Sequence, residues 1–490
     1  MEIIQVKTVD PISQDLLKSA YQKGIKLPWD RFEKLQPQDG FLRMGLSCPY
    51  GCLQGPCRID PFGRGPERGL CGLDRDAMVA ALLLRLSLSG ALEAMPTPAK
   101  ELSWDPALKD AVSRVSKKLG REPISSKEVQ TAASCLMRPM ESAEGLINQS
   151  LRMALLTIGW LSKGTAPQAG KKSLPLAVGY GLLVQKDFNI GICGRPSSEF
   201  LKAVLAEVNR SISGGGQLLS LGEFIPLEGS YLPCVCTSGE AELILSSGKV
   251  DLLIAGPGAD AALLELCQTL KIPCASSLEL KSVRTLAAKA KESKGAPGQT
   301  PFSPPPSLVE EVEAVGGASL WEESLKKGAG KKLAFLGGAD HPYHSLGWIP
   351  TEVAPALQAK GFSVSSWGDS ALWMVKKGLA AQKLKSPVRV LGGQNGPVLA
   401  LKGLAGSGRL KDVKGVCFTG MKSCQDLGVA LALASMGLKV NVAVPLPLWG
   451  SEKVCNLLLE KLAALGGSLT HYDHPAQAEE ILDWFLKNKS

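Results

Sequence analysis

Four cysteines fall within one short stretch, Cys48-Pro-Tyr-Gly-Cys52-Leu-Gln-Gly-Pro-Cys57, followed by Gly69-Leu-Cys71-Gly72. The intervals between them hold three, four and thirteen residues. Three closely spaced thiolates and a fourth beyond a glycine-rich loop suit a compact cofactor, and iron–sulfur cubes are held by four cysteines. Gly51, Gly55, Gly63, Gly65, Gly69 and Gly72 let the backbone wrap closely and aim N–H groups at sulfur, which tunes the potential. A tetrahedral zinc site is the alternative, but it favours two tight Cys-x-x-Cys pairs, which this spacing does not provide. Disulfides need an oxidising compartment, and Met1-Glu2-Ile3-Ile4-Gln5 does not begin an export signal. A reducing cytoplasm is therefore expected.

Nine of the 13 cysteines lie elsewhere. Cys193 ends a β-rich run, Cys234-Val-Cys236 follows Pro233, and Cys424 follows a strand-to-helix turn. Strand ends and the loops after them are where α/β folds place ligands, so Cys193, Cys234, Cys236 and Cys424 are candidates for a second metal site. The competing reading is that free cysteine is a small, buried hydrophobe, and Cys135, Cys267 and Cys274 are assigned to the core on that ground. Histidine occurs four times, and His341-Pro-Tyr-His344 reads as a surface loop rather than a chelate.

The elements that must position these groups follow from periodicity. The 490 residues make about three domains, here 1–165, 166–307 and 308–490. The first reads as helical: Asp10-Pro11 and Asp74 open helices, and further helices are expected over Ala107–Leu119, Ser126–Met137 and Glu141–Leu161. The second alternates β-rich runs (Phe188–Cys193, Leu218–Leu221, Val250–Ala255) with helices at Glu199–Val208 and Ala261–Leu270, the signature of βαβ units on a parallel sheet. Lys291–Ser307 reads as a linker. The third is expected to begin with a helix at Leu308, then to repeat the α/β pattern at Leu333–Leu336, Phe362–Ser365, Val388–Leu391, Val413–Phe418 and Val440–Val444. No strand is followed by a GxGxxG turn, so a nicotinamide site is not expected. The net charge of +9 is scattered, which argues against nucleic acid and leaves room for a small acidic electron carrier. Met78–Met95, broken by Arg85 and Gly90, is too short to span a membrane.

Trp29-Asp-Arg-Phe-Glu33, Gln36-Pro-Gln-Asp-Gly-Phe41, Gly45-Leu-Ser-Cys48, Gly55-Pro-Cys-Arg-Ile59, Cys71-Gly72 and Asp76 resemble anaerobic nickel–iron–sulfur carbon monoxide dehydrogenases, most specifically from about Asp10 to Gly90. The resemblance implies an α/β multidomain chain: an N-terminal helical domain followed by two Rossmann-like parallel-sheet domains. It assigns a 4Fe-4S cluster to Cys48, Cys52, Cys57 and Cys71, with one extra residue between the first two. The family's cluster shared across the homodimer axis takes two cysteines per subunit, and Asp39 and Ser47 stand at those positions, so that cluster is expected to be absent. At the family's nickel–iron–sulfur site, Ile192-Cys-Gly-Arg-Pro196 lacks the histidine, and Gly256-Pro-Gly-Ala259 and Gly393 stand where cysteines belong. Gly420-Met-Lys-Ser-Cys-Gln-Asp426 keeps Cys424, and Trp449-Gly-Ser-Glu-Lys453 resembles the downstream segment. The relay histidines of the helix after Asp76 are missing from Gly90–Met95. Nickel is not expected.

These readings give an iron–sulfur oxidoreductase with a remodelled second iron–sulfur cluster, or a non-catalytic electron-transfer or scaffold subunit keeping only the 4Fe-4S cluster. Genuine carbon monoxide oxidation ranks third. The expected partner is a redox protein, ferredoxin-like or an enzyme, with a homodimer lacking a shared cluster as a further assembly.

Overall fold

The computed structural model describes residues 6–487, apart from 36–39, 51, 56, 97–100, 122–123, 138–140, 163–172, 212–214, 228, 276–279, 294–301, 316–331 and 382. Asp39 and part of the linker 291–307 lie outside the described residues.

Helices dominate up to Leu161. Asp10 caps Pro11–Gln22, its carboxylate accepting from the N–H groups of Ile12 (2.8 Å) and Ser13 (3.0 Å). Asp74 caps Arg75–Ala94 by accepting from Ala77 N–H at 2.9 Å. These caps satisfy N–H groups that the first turn leaves without partners. Arg75–Ala94 is long and apolar enough to cross a membrane by composition, but 56% of that stretch is buried inside the protein. It packs against Ala143–Leu161, and Cys424–Ser435 lies against both. Small residues permit this close approach. A Cβ on Gly90 would sit 2.3 Å from the Cys424 carbonyl oxygen, and one on Gly428 would sit 2.8 Å from Thr157 Oγ1.

The strands, in chain order, are β1 (Ser173–Val178), β2 (Asn189–Cys193), β3 (Gln217–Leu221), β4 (Pro226–Leu227), β5 (Ser230–Tyr231), β6 (Cys234–Cys236), β7 (Leu252–Ala255) and β8 (Cys274–Ala275). They continue with β9 (Glu310–Val315), β10 (Lys332–Gly337), β11 (Phe362–Ser366), β12 (Arg389–Val390), β13 (Val413–Phe418), β14 (Lys439–Val442) and β15 (Ser468–His471). Thirteen form one sheet in the order β15-β14-β13-β10-β11-β12-β9-β1-β6-β3-β2-β7-β8. Every pairing in it is parallel except β1 with β9, which run antiparallel from Ser173↔Val315 to Val178↔Glu310. Two doubly wound halves thus join edge to edge. Their strands are apolar runs because helices cover both faces.

The helix expected at Leu308 is strand β9 instead. Glu310, Glu311 and Glu313 are exposed, while Val312 and Ala314 are buried. A period of two, paired with Leu176 and Leu174 on β1, overrides the helix propensity of Glu and Ala.

Candidate functional site

The four-cysteine loop is built on the start of Arg75–Ala94. Ser47 bridges to Arg58 and Arg68 to Asp74, both antiparallel. Cys48 N–H donates to Cys57 C=O (2.9 Å) and Ile59 N–H to Leu46 C=O (3.0 Å). The Arg75 guanidinium donates to Asp60 C=O (2.9 Å), and Arg85 to Pro49 C=O (2.6 Å). The helix therefore anchors the start and the middle of the loop through charged donors.

Cys52 and Cys71 are exposed, and Cys48 and Cys57 are half-buried. Leu70 N–H points at Cys57 Sγ at 3.4 Å. A Cβ on Gly69 would lie 3.7 Å from Cys57 Sγ and one on Gly55 3.8 Å from Cys52 Sγ, so glycine keeps space open beside the sulfurs. Burial pushes the Cys48 thiol up; the Tyr50 N–H opposes this, and Cys57, Cys52 and Cys71 add to it. Burial, then Cys48 and Cys71, raises the Tyr50 phenol to about 12. Its hydroxyl is buried without a protein partner among the described residues. The quartet is gathered within electrostatic reach at one helix end, yet among the described residues no three Cys, His, Asp or Glu side chains converge on one point as ligands. The donor set, the inward N–H and the glycine lining fit an iron–sulfur cube. Ser47 opens the loop with its hydroxyl buried and unpartnered among the described residues.

The second group is dispersed. Cys193 is the last residue of β2, and Cys234 and Cys236 begin and end β6 with β3 between the two strands. All three are buried. Burial pushes the Cys193 and Cys236 thiols up and takes Cys234 to about 12, which favours neutral thiols over ligand thiolates. Cys193 and Cys236 share one apolar core and Cys234 belongs to another. Cys424 sits apart, at the start of its helix against Gly90, with Glu93 and Asp426 the charges nearest it.

The C-terminal ends of β3, β6, β10, β11, β12 and β13 meet at one crevice, the position where doubly wound sheets place ligands. Gly222, Glu223, Phe224, Ser238, Gly338, Trp367, Gly368, Asp369, Gln394 and Lys422 line it. Among the described residues, none that lines it is a cysteine or a histidine. Asp369 accepts from Ser238 N–H (2.8 Å), Ser238 Oγ (2.5 Å) and Asp340 N–H (2.8 Å). Burial, with the Asp369 charge, holds the Asp340 carboxyl well above the usual carboxylate range. Lys422 pairs with Asp260 at 2.8 Å. Burial raises Glu223 to about 7, against Arg195 and Lys422, with Asp369 and Asp426 adding.

Behind the crevice lies a buried polar cluster. Glu240 accepts from Lys376 (2.9 and 3.0 Å), Tyr180 (2.6 Å), Ser13 (2.5 Å) and Thr237 N–H (3.0 Å). Lys376 also reaches Asp10 at 3.1 Å, tying the first helix to both halves of the sheet. Sequence reading reaches one member of this cluster, Asp10, as a helix opener; Ser13, Tyr180, Glu240 and Lys376 come together only in the fold.

No family model matches the chain. Carbon monoxide dehydrogenase 1 of Methanosarcina mazei is 49% identical over 85 residues, 17% of this chain and 13% of that protein. Carbon monoxide dehydrogenase 1 of Carboxydothermus hydrogenoformans is 50% identical over 84 residues, again 17% and 13%. The matched segment thus spans about an eighth of these relatives. In fold, a Ni-free carbon monoxide dehydrogenase from Thermococcus sp. AM4, produced without CooC maturase, superposes with TM-score 0.78 at 17% identity, covering 99% of this chain and 98% of that one. Carbon monoxide dehydrogenase IV of C. hydrogenoformans gives 0.76 at 18% identity, covering 99% of both chains.

Proposed function

We propose that the chain is an iron–sulfur redox protein on the scaffold of the carbon monoxide dehydrogenases it resembles, holding a single 4Fe-4S cluster on Cys48, Cys52, Cys57 and Cys71. A cube there supplies one-electron transfer at a potential set by its surroundings. The chain's own contribution is positional. Arg75 and Arg85 hold the loop on its helix, Leu70 N–H faces Cys57 Sγ, and the exposure of Cys52 and Cys71 brings the site to the surface. Leu53, Phe62 and Leu70 are exposed on the same loop, an apolar collar suited to a docked redox protein or a second copy of the chain in a reducing cytoplasm.

The observation that carries the single-cluster reading is the crevice. A nickel–iron–sulfur centre needs thiolates and imidazole converging there, and the lining offers carboxylates, amides and an ammonium. The residues do not fit that group, so no step is assigned to it. A second reading, a remodelled iron–sulfur centre, is favoured by one observation: Cys193 and Cys234 lie within electrostatic reach of Cys236.

Iron, sulfide, nickel and zinc per chain, measured in protein purified without oxygen, together with an EPR spectrum of the reduced form, separate the two. About four irons, no nickel and one cubane signal are expected. Clearly more iron, or a second signal, replaces this reading with the remodelled centre.

A further inference from the structure

Hydrogen-bonding capacity around the crevice is unevenly spent. The acceptors are largely engaged. Asp369 takes three hydrogen bonds, Asp426 accepts from Lys422 N–H (3.0 Å) and Ser423 N–H (3.3 Å), and Asp260 faces Lys422. Gln394 Oε1 accepts from Gln425 Nε2 at 3.3 Å, and Gln425 Oε1 faces Arg195 Nη1 at 3.4 Å. The donors are not. An ammonium carries three N–H groups and an amide two. Among the described residues Lys422 Nζ has one partner, Asp260, and Gln394 Nε2 has none. The Glu223 carboxyl lines the same space and makes no side-chain hydrogen bond among the described residues. Lys422 and Arg195 are exposed, so the crevice opens to solvent on their side. It leaves about 20 Å³ for the centres of water-sized molecules, and a single water needs roughly 10–15 Å³ of that measure.

We infer that this crevice binds a small monocarboxylate of formate size, its oxygens taking the free N–H groups of Lys422 and Gln394 and the Glu223 carboxyl closing the third side. The inference rests on the reading that no metal cluster fills the crevice. Glu223 faces Arg195, Lys422, Asp369 and Asp426, and Cys193 lies within its field. Its proton is retained below about pH 7 and lost above. A protonated Glu223 donates to the ligand, whereas an ionised one repels it, so binding weakens as pH rises through that value.

The test is calorimetric titration of sodium formate into the full chain, purified without oxygen and with its iron counted in the same sample. Formate is expected to bind several-fold more tightly at pH 6 than at pH 8, and inorganic phosphate, too large for the space, not to bind. Lys422→Met removes a charged donor and is expected to weaken formate at least about tenfold. Its partner Asp260 is half exposed, so the variant should fold. Glu223→Gln keeps a donor and is expected to bind formate with the difference between pH 6 and pH 8 abolished. Failure of formate to bind a sample holding about four irons, or binding indifferent to both substitutions, overturns the inference alone. Iron well above four overturns the single-cluster reading instead.

Discussion

At the residue scale, the proposal separates two kinds of cysteine by what surrounds them. Cys57 has a backbone N–H at its sulfur and lies in a glycine-lined loop, whereas Cys424 is wedged between helices. Cys57→Ser should lower iron well below about four per chain and bleach the visible charge-transfer absorbance, while Cys424→Ala should leave both unchanged. Iron lost equally in both variants would mean that Cys424 is a ligand after all. The same reasoning about surroundings applies to Lys376, whose side chain is 6% exposed beside Glu240 at 0%. Replacing the pair with apolar groups is one matter; removing only the cation leaves Glu240 charged and buried. Lys376→Met should therefore cost roughly 3–5 kcal/mol in denaturant unfolding. A cost near zero would show that Tyr180, Ser13 and Thr237 suffice to hold Glu240 without the ammonium.

At the scale of elements, close helix packing makes demands that a single methyl group can break. Gly90 lies where Arg75–Ala94 meets the backbone of Cys424, and a Cβ 2.3 Å from a carbonyl oxygen must displace one of the helices. Gly90→Ala should destabilise by about 1–3 kcal/mol despite alanine's better helix propensity, read from the unfolding midpoint. Much of this layer was legible in the sequence, because Asp10 and Asp74 announce their helices by type and position. The cysteine quartet was legible for a similar reason, being local. The crevice was not: six separate turns contribute to it, and a residue such as Asp369 acquires meaning only when the sheet places Ser238 and Asp340 beside it. Strand β9 was misread because three glutamates in six residues look helical until Leu174 and Leu176 supply an apolar partner face.

The helical layer also contains a pH-dependent tie. Glu128 accepts from Arg152 at 2.6 and 3.0 Å and from Gln149 at 3.0 Å. Burial works against its charge, but the Arg152 and Gln149 hydrogen bonds outweigh it and hold the carboxyl below its usual value. A depressed carboxyl stabilises the fold fully above the unfolded value of about 4.3, and that contribution disappears as pH falls through the folded one. Glu128→Gln should thus be less stable than the parent at pH 7, with the gap closing on acidification below about pH 4. A gap independent of pH would assign the loss to packing.

At the scale of the whole molecule, the two halves of the sheet meet at β9. It pairs along its full length with β1 on one side and touches β12 on the other, through Val390↔Ala314. Neighbouring residues of a strand send their N–H groups to opposite sides, so of Val312 and Glu313 one donates toward β1 and the other toward β12. Proline at the β1-facing position removes a ladder donor from the one antiparallel seam of the sheet among the described residues. Phe188, Ile190 and Leu252 pack in one core and Leu336, Val364 and Phe362 in another, while a third joins the halves across the seam through Leu174, Tyr231, Leu372 and Val375. That shared core, the Glu240–Lys376 cluster, the Ser238–Asp369 hydrogen bonds and the seam all couple them. Calorimetry of the parent should show one thermal transition. One of Val312→Pro and Glu313→Pro should split it in two, while the other only lowers its temperature. If both variants still melt in a single step, cooperativity runs through the helix Cys424–Ser435 and its two helical neighbours, not the sheet. The crevice would then owe its shape to the layer that also carries the cysteine loop, and iron loss from that loop should loosen formate binding in the same preparation.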